Sequence, residues 1–138
     1  MSYSTSLNLI VRFGLANVTK WSDLTGAGTL DTDRVAAAIA YADARIDLLL
    51  NGGPYTLPLV FAGTTAAQTI QQAQDWSVVL AGHWLYFSRG LLDKDEQGPK
   101  LDDLKKGVED DLTAARSGRI RLGAQRRWAP NPNAPSAM

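Results

Sequence analysis

No cysteine occurs among the 138 residues, which removes disulfide frameworks, thiolate nucleophiles and cysteine-based metal sites. That absence agrees with folding under reducing conditions. Histidine is nearly absent as well. With His83 alone, a metal site of paired imidazoles or a catalytic triad needing a second histidine is unavailable. The N-terminus, MSYSTSLNLIVRF, has neither the basic start nor the long apolar stretch of a secretory signal. The strongest apolar run, VVLAGHWLYF at 78–87, falls well short of the roughly 20 residues that span a bilayer. A soluble protein with no membrane partner is expected. Acid is missing from the last part of the chain. Up to Asp111 there are 9 Lys/Arg against 14 Asp/Glu, and beyond it five arginines and no acid. A formal charge of zero therefore hides an acidic body and a basic arm of Arg116, Arg119, Arg121, Arg126 and Arg127. Such an arm either meets something negative, a neighbouring copy's acidic body included, or is a solvated tail.

What is present is helical pattern. A chain of this length with 45% hydrophobic residues is one domain with a real core. Ser4, Thr5 or Ser6 can cap a short helix through Leu7, Ile10, Val11 and Phe13, stopped by Gly14. Asn17 can cap a second, carrying Val18, Trp21 and Leu24 and ended by Gly26. Val35, Ile39, Ala42, Ile46 and Leu49 or Leu50 recur at steps of three and four, an amphipathic helix closed by Asn51-Gly52-Gly53. Its polar face carries Arg34, Asp43, Arg45 and Asp47, and its alanines permit close packing. The segment 52–65, punctuated by Pro54 and Pro58 but rich in apolar residues, reads as a packed crossover. A long helix over 66–92 follows, polar in its first half and apolar nearly all round in its second, hence buried on every side. After a charged turn at 93–98, Pro99 suits the first position of a helix with a stripe of Leu101, Leu104, Val108, Leu112 and Ala115. Gly118 stops it. RIRLG at 119–123 alternates charged and apolar residues, the period of a short strand or extended arm. The Pro/Asn/Ala-rich tail at 129–138 is expected to be disordered on its own. The fold class is all-α: two short and three longer helices in a small bundle over 1–118, with an extended basic arm and tail over 119–138.

Three features raise the question of chemistry. GAGTLDTDR at 26–34 sets two glycines and two aspartates ahead of a helix. A phosphate loop needs a Gly-Lys-Ser/Thr ending after a strand, and neither is present. A dinucleotide fingerprint needs a third glycine where Asp31 stands, and a carboxylate there repels pyrophosphate. A calcium loop needs side-chain oxygens where Gly26, Ala27 and Gly28 have none. Asp31 and Asp33 are better read as an N-cap and a first-turn acid. His83, between Gly82 and Trp84, is read as a hydrogen-bonded core or interface residue, with a general base as the alternative. Asp102/Asp103 and Asp110/Asp111 are sequence neighbours that diverge around a helix instead of converging on a substrate. No catalytic residue, metal site or cofactor is expected. Trp76, Trp84, Tyr86 and Phe87 are core aromatics that can also serve an interface.

Taken in order, LIVRFG (9–14), LTGAGTLDTDRVAAAIAYADARIDLLL (24–50), PYTLPL (54–59), DWSVVLAGHWLYF (75–87) and ARSGRIRLG (115–123) resemble the small head-completion, or head-to-tail connector, proteins of Mu-like phages and prophages. Gly26-Ala27-Gly28 stands where relatives often carry an aspartate-rich loop, and Pro54 where they commonly have arginine. The resemblance implies a non-enzymatic virion protein at the head–tail interface, assembled in the host cytoplasm. It implies self-association into a ring of twelve copies, with the portal protein and tail or tail-terminator proteins as partners. A ring needs two different complementary surfaces on each copy. Interface residues are expected among Trp84, Tyr86, Arg116, Arg119, Ile120, Arg121, Leu122, Arg126 and Arg127. RIRLG could add as a strand to a neighbour's edge, with Ile120 and Leu122 filling pockets. The alternative is a small DNA-binding or packaging accessory protein using the arginine arm, and non-specific contact with packaged DNA is compatible with either. A hydrolase built on His83 is the remote third reading.

Overall fold

A computed structural model describes residues 2–89 and 97–127. The expected end of the fourth helix at 90–92, most of the charged turn and the tail from 128 lie outside the described residues. Five helices follow one another: α1 (Ser6–Phe13), α2 (Leu15–Ser22), α3 (Thr32–Leu50), α4 (Ala66–Phe87) and α5 (Gln97–Ser117). No strand accompanies them among the described residues, and the fold is an all-α bundle.

Each start has a local cause. Thr5 caps α1 in a capping box: its hydroxyl accepts from the Asn8 N–H at 3.3 Å, and the Asn8 side chain accepts from the Thr5 N–H at 2.8 Å. Gly14, at φ 90°, ends α1 and opens α2 in a single residue, a backbone angle that a side chain would strain. Asn17 is therefore not the cap of α2. It lies within that helix, and its amide donates to the Phe13 carbonyl at 2.8 Å, closing the end of α1 instead. Leu24 lies beyond α2 and is exposed. Asp31 caps α3 by accepting from the Asp33 and Arg34 N–H groups at 3.1 Å. Helix α4 ends at Phe87, earlier than its apolar run suggests, with the Ser88 N–H closing on Trp84. Helix α5 begins two residues before Pro99, which still falls in the first turn, where a missing N–H costs nothing.

The core is organised around α4. Trp76 through Gly82 are buried without interruption, so the helix is covered on all sides there. Helices α1, α2, α3 and α5 all touch it. Helix α3 runs antiparallel to α4, with Arg34 reaching Ser88 at one end and Ser77 donating to Asp43 further along. Helix α5 is antiparallel to α4 as well, through His83–Asp102 and Trp76–Asp111.

The crossover and the arm close one end of this bundle together. Buried Tyr55 accepts the Leu122 N–H at 2.7 Å through its hydroxyl, and Thr69 accepts the Gly123 N–H at 2.7 Å. Main-chain bonds join Ala62 to Gly123, Gln125 to Val60, Thr56 to Gln125 and Arg127 to Pro54. The result is two isolated antiparallel bridges, Tyr55↔Arg126 and Phe61↔Ala124. The extended arm thus exists, but its paired part is 122–127 and its partner is this chain's own crossover.

Gly123 is where arm and helix come closest. A Cβ there would stand 2.5 Å from the Thr65 carbonyl carbon and 2.7 Å from the Ala66 nitrogen, both backbone atoms that cannot step aside. Gly123→Ala is expected to cost about 1–3 kcal/mol, as overpacking does, read from the urea midpoint. Trypsin should then cut at Arg121 and Arg126 before the helices unfold; an unchanged midpoint and cleavage order would refute the close-approach argument.

Candidate functional surfaces

The glycine loop does form an amide cradle for an anion, and the anion is internal. Gly26 and Gly28 have φ near 75° and 77°, a conformation that turns successive N–H groups inward. The Asp23 carboxylate accepts from the Gly28 N–H at 2.7 Å, the Ala27 N–H at 3.1 Å and the Thr25 hydroxyl at 3.3 Å. The Gly28 bond, with help from Ala27 and Thr25, holds the Asp23 pKa below its ordinary value. Sequence reasoning passed over Asp23. The signal was there: an aspartate shortly before a glycine pair commonly accepts from the turn that follows it. Among the described residues no group of three or more His, Cys, Asp or Glu could hold a metal ion.

His83 projects from α4 towards α5. Its Nε2 lies 2.8 Å from Asp102 Oδ1, and its ring packs against Phe87 with centroids 4.4 Å apart. Burial lowers its pKa, and the Asp102 bond opposes that shift without overcoming it. The bond joins two helices, a packing task that the interior reading of this residue anticipates.

A second polar cluster was not legible in the sequence. Tyr3 donates from its hydroxyl to Asp47 at 2.6 Å and accepts the Leu59 N–H at 2.8 Å. The Ser4 and Ser77 hydroxyls lie 2.6 Å apart, and Ser77 donates to Asp43 at 2.8 Å. Burial raises the Asp43 pKa against the lowering effect of Ser77. Burial, followed by the Asp47 bond, raises that of Tyr3. These residues latch the N-terminal segment and the crossover onto α3 and α4. Asp43 and Asp47, assigned by periodicity to the polar face of the helix, are the anchors.

The expected interface residues divide. Arg116, Arg119, Ile120, Arg121, Arg126 and Arg127 are exposed. Trp84 is half-buried, under the Arg34 guanidinium at 5.1 Å and beside Tyr41 at 6.2 Å. Tyr86 and Leu122 are 3% and 7% exposed and face inward. Tyr86 meets Trp21 edge-on at 5.6 Å with Arg89 stacked on it at 4.3 Å; Leu122 is drawn in by the Tyr55 bond to its own N–H. An alternating pattern cannot tell a pocket in the same chain from one in a neighbour.

Two apolar surfaces have no cover in the described structure. On α3, Ala37, Ala40, Tyr41, Ala44 and Leu48 are all exposed and fall within an arc of about 100°. The charged residues that should have occupied this outer face are engaged at its margins: Arg45 pairs with Glu109 at 2.7 Å, Arg34 binds Ser88, and Asp47 holds Tyr3. On another side, Leu7 and Val11 of α1 are 65% and 78% exposed, beside a groove of about 340 Å³ that Gln71 and Gln74 of α4 also line.

A small helical bundle with bare apolar and arginine-rich surfaces outside is suited to contact with other macromolecules. The chain belongs to the Bacteriophage Mu Gp36 family, which matches residues 3–138, and so to the proteins of Mu-like phages. Family membership suggests a virion-associated protein of phage structure or morphogenesis. No curated protein matches the chain. No helix among the described residues is long and apolar enough to cross a membrane.

The His83 environment predicts a pH response. Because the folded pKa is depressed, the unfolded chain binds the proton more readily below about 6.5. The stability contributed by neutral His83 is therefore complete above that pH and is lost as pH falls. Of the charges around it, Lys105 also lowers the pKa, while Asp102 and Glu109 raise it. Melting temperatures should fall more between pH 7.5 and 5.5 in the wild type than in His83→Gln, and parallel curves would contradict the assignment.

Proposed function

We propose that this protein is a structural subunit of the phage head-to-tail junction, self-associating as a ring between the portal and the tail and catalysing no reaction. The bare apolar face of α3, on a chain of this family, carries the reading. A surface of Ala37, Ala40, Tyr41, Ala44 and Leu48 costs solubility unless another subunit covers it, and its alanines admit a close-packed helix. The Leu7–Val11 ridge lies on a different side of the bundle. Two unlike apolar surfaces on one protomer suit the head-to-tail contact from which closed rings are built. Twelve copies, with portal and tail or tail-terminator proteins above and below, is the arrangement proposed, at the head–tail interface of the virion. The main-chain groups of 122–127 are engaged within the protomer. Any strand exchange with a neighbour would therefore have to displace the crossover.

Electron microscopy of the protein mixed with its portal tests the proposal directly, with a ring stacked on the portal expected. Ala44→Glu places a charge in the middle of the α3 face, where surface substitutions change stability by no more than about 0.5 kcal/mol. Ring density should disappear while the circular dichroism spectrum and melting temperature stay as they were. Rings that form equally well with the glutamate would remove α3 from the interface.

A further inference from the structure

We propose that the arm end of the bundle is a sequence-independent docking surface for the phosphate backbone of double-stranded DNA, with Arg116, Arg119, Arg121 and Arg126 as its contacts. The fold gathers these side chains from separate stretches. Arg116 is in the last turn of α5 and lies against Gly53, where an added Cβ would meet its Cγ at 3.0 Å. Arg126 is bridged to Tyr55, two residues along the same turn. Arg119 and Arg121 lie on the connection between them, which starts with the Arg119 and Ile120 N–H groups closing on the Ala114 carbonyl. All four are exposed, and none forms an ion pair with a described residue; the pairs found are Arg12–Asp75, Arg45–Glu109 and His83–Asp102. No acid occurs between Leu112 and Arg127. The arm is tied down through Leu122, Gly123 and Gln125, so the guanidinium groups are presented by a formed surface.

The choice of partner follows from what could match this charge. A second copy offers this charge few carboxylates without a partner among the described residues. Asp23, Asp31, Asp43 and Asp47 accept internal hydrogen bonds, and Asp75, Glu109 and Asp102 have basic partners. Exposed Asp103 and Asp110 share α5 with Lys105 and Lys106. Duplex DNA carries a negative charge about every 1.7 Å along its axis, and guanidinium groups pair with phosphate in two-pronged fashion. Single strands are bound chiefly by aromatic stacking, and among the described residues this surface has no platform for it: Tyr55 is buried and Phe61 is packed against the core. Sequence readout needs a helix or ribbon in a groove. Among the described residues only the end of α5 and a tied-down arm face outward here, so the contacts are to backbone.

This surface does not depend on the ring, and its failure would leave the ring proposal standing. The test is fluorescence anisotropy of the full chain with a short labelled duplex across a salt series. Four phosphate contacts predict a log–log slope of about −3.6, so binding weakens about 150-fold between 50 and 200 mM salt. R119A/R121A should roughly halve the slope, while K105A/K106A should leave it unchanged. Should the double arginine variant fail to fold, R116Q and R126Q read the same surface singly. Lack of binding at 50 mM salt, a slope near zero, or equal losses from the lysine and arginine pairs would each overturn the proposal. So would arginine variants that bind DNA normally but no longer associate with portal, an outcome that assigns the surface to protein contact.

Discussion

Everything in this bundle is arranged around the requirement that the second half of α4 be out of water on all sides. A run from Trp76 to Gly82 with no exposed face cannot be satisfied by one neighbouring helix, because a single partner covers only a stripe. Four helices are needed, and the chain supplies them: α3 and α5 along its length, α1 and α2 across the remaining side. The small residues in that run matter as much as the large ones. A methyl group on Gly82 would overlap the Phe13 ring, so the absence of a side chain there lets α1 lie against the helix. Phe13, Trp21 and Tyr86 then form successive edge-to-face contacts that join both short helices to the core.

Helix packing leaves the irregular segments unsecured, and buried hydroxyls secure them. A non-helical segment brings main-chain N–H groups that need acceptors once water is excluded. Tyr3 supplies one for Leu59, Tyr55 one for Leu122 and Thr69 one for Gly123. Each spans more than fifty residues of sequence, so N-terminal segment, crossover and arm are fastened to the bundle by side chains that only the folded chain brings together. Asp23 does the same at short range, filling with its carboxylate a glycine cradle that would otherwise present unsatisfied donors.

The use of charge inside the fold decides the character of the outside. Arg34, Arg45, Asp43 and Asp47 are drawn to the margins of α3 by Ser88, Glu109, Ser77 and Tyr3. The strip left between them is alanine, tyrosine and leucine. The arm arginines show the opposite case. Their stretch contains no acid to neutralise them, and the crossover fixes the backbone that carries them, so a tail-like sequence becomes a defined basic surface.

Much of the architecture was legible because it depends on local rules. Step-three-and-four spacing marks α3 and α5, an unbroken apolar run marks the buried half of α4, and Asp31, Gly14 and Gly118 punctuate as capping and left-handed backbone require. The reading went astray where a side chain had several possible partners. Asn17 looked like a cap for the helix it sits in and instead closes the one before. Asp43 and Asp47 looked like members of an outer polar face, and Leu122 looked available to a neighbour's pocket. By itself the sequence determined the helices, their order, the burial of α4 and the concentration of positive charge in the arm, since each follows from spacing or composition. Only the tertiary structure decided which polar groups are consumed internally, and hence which faces remain bare, because hydrogen-bond partners forty to seventy residues apart leave no periodic trace in the chain.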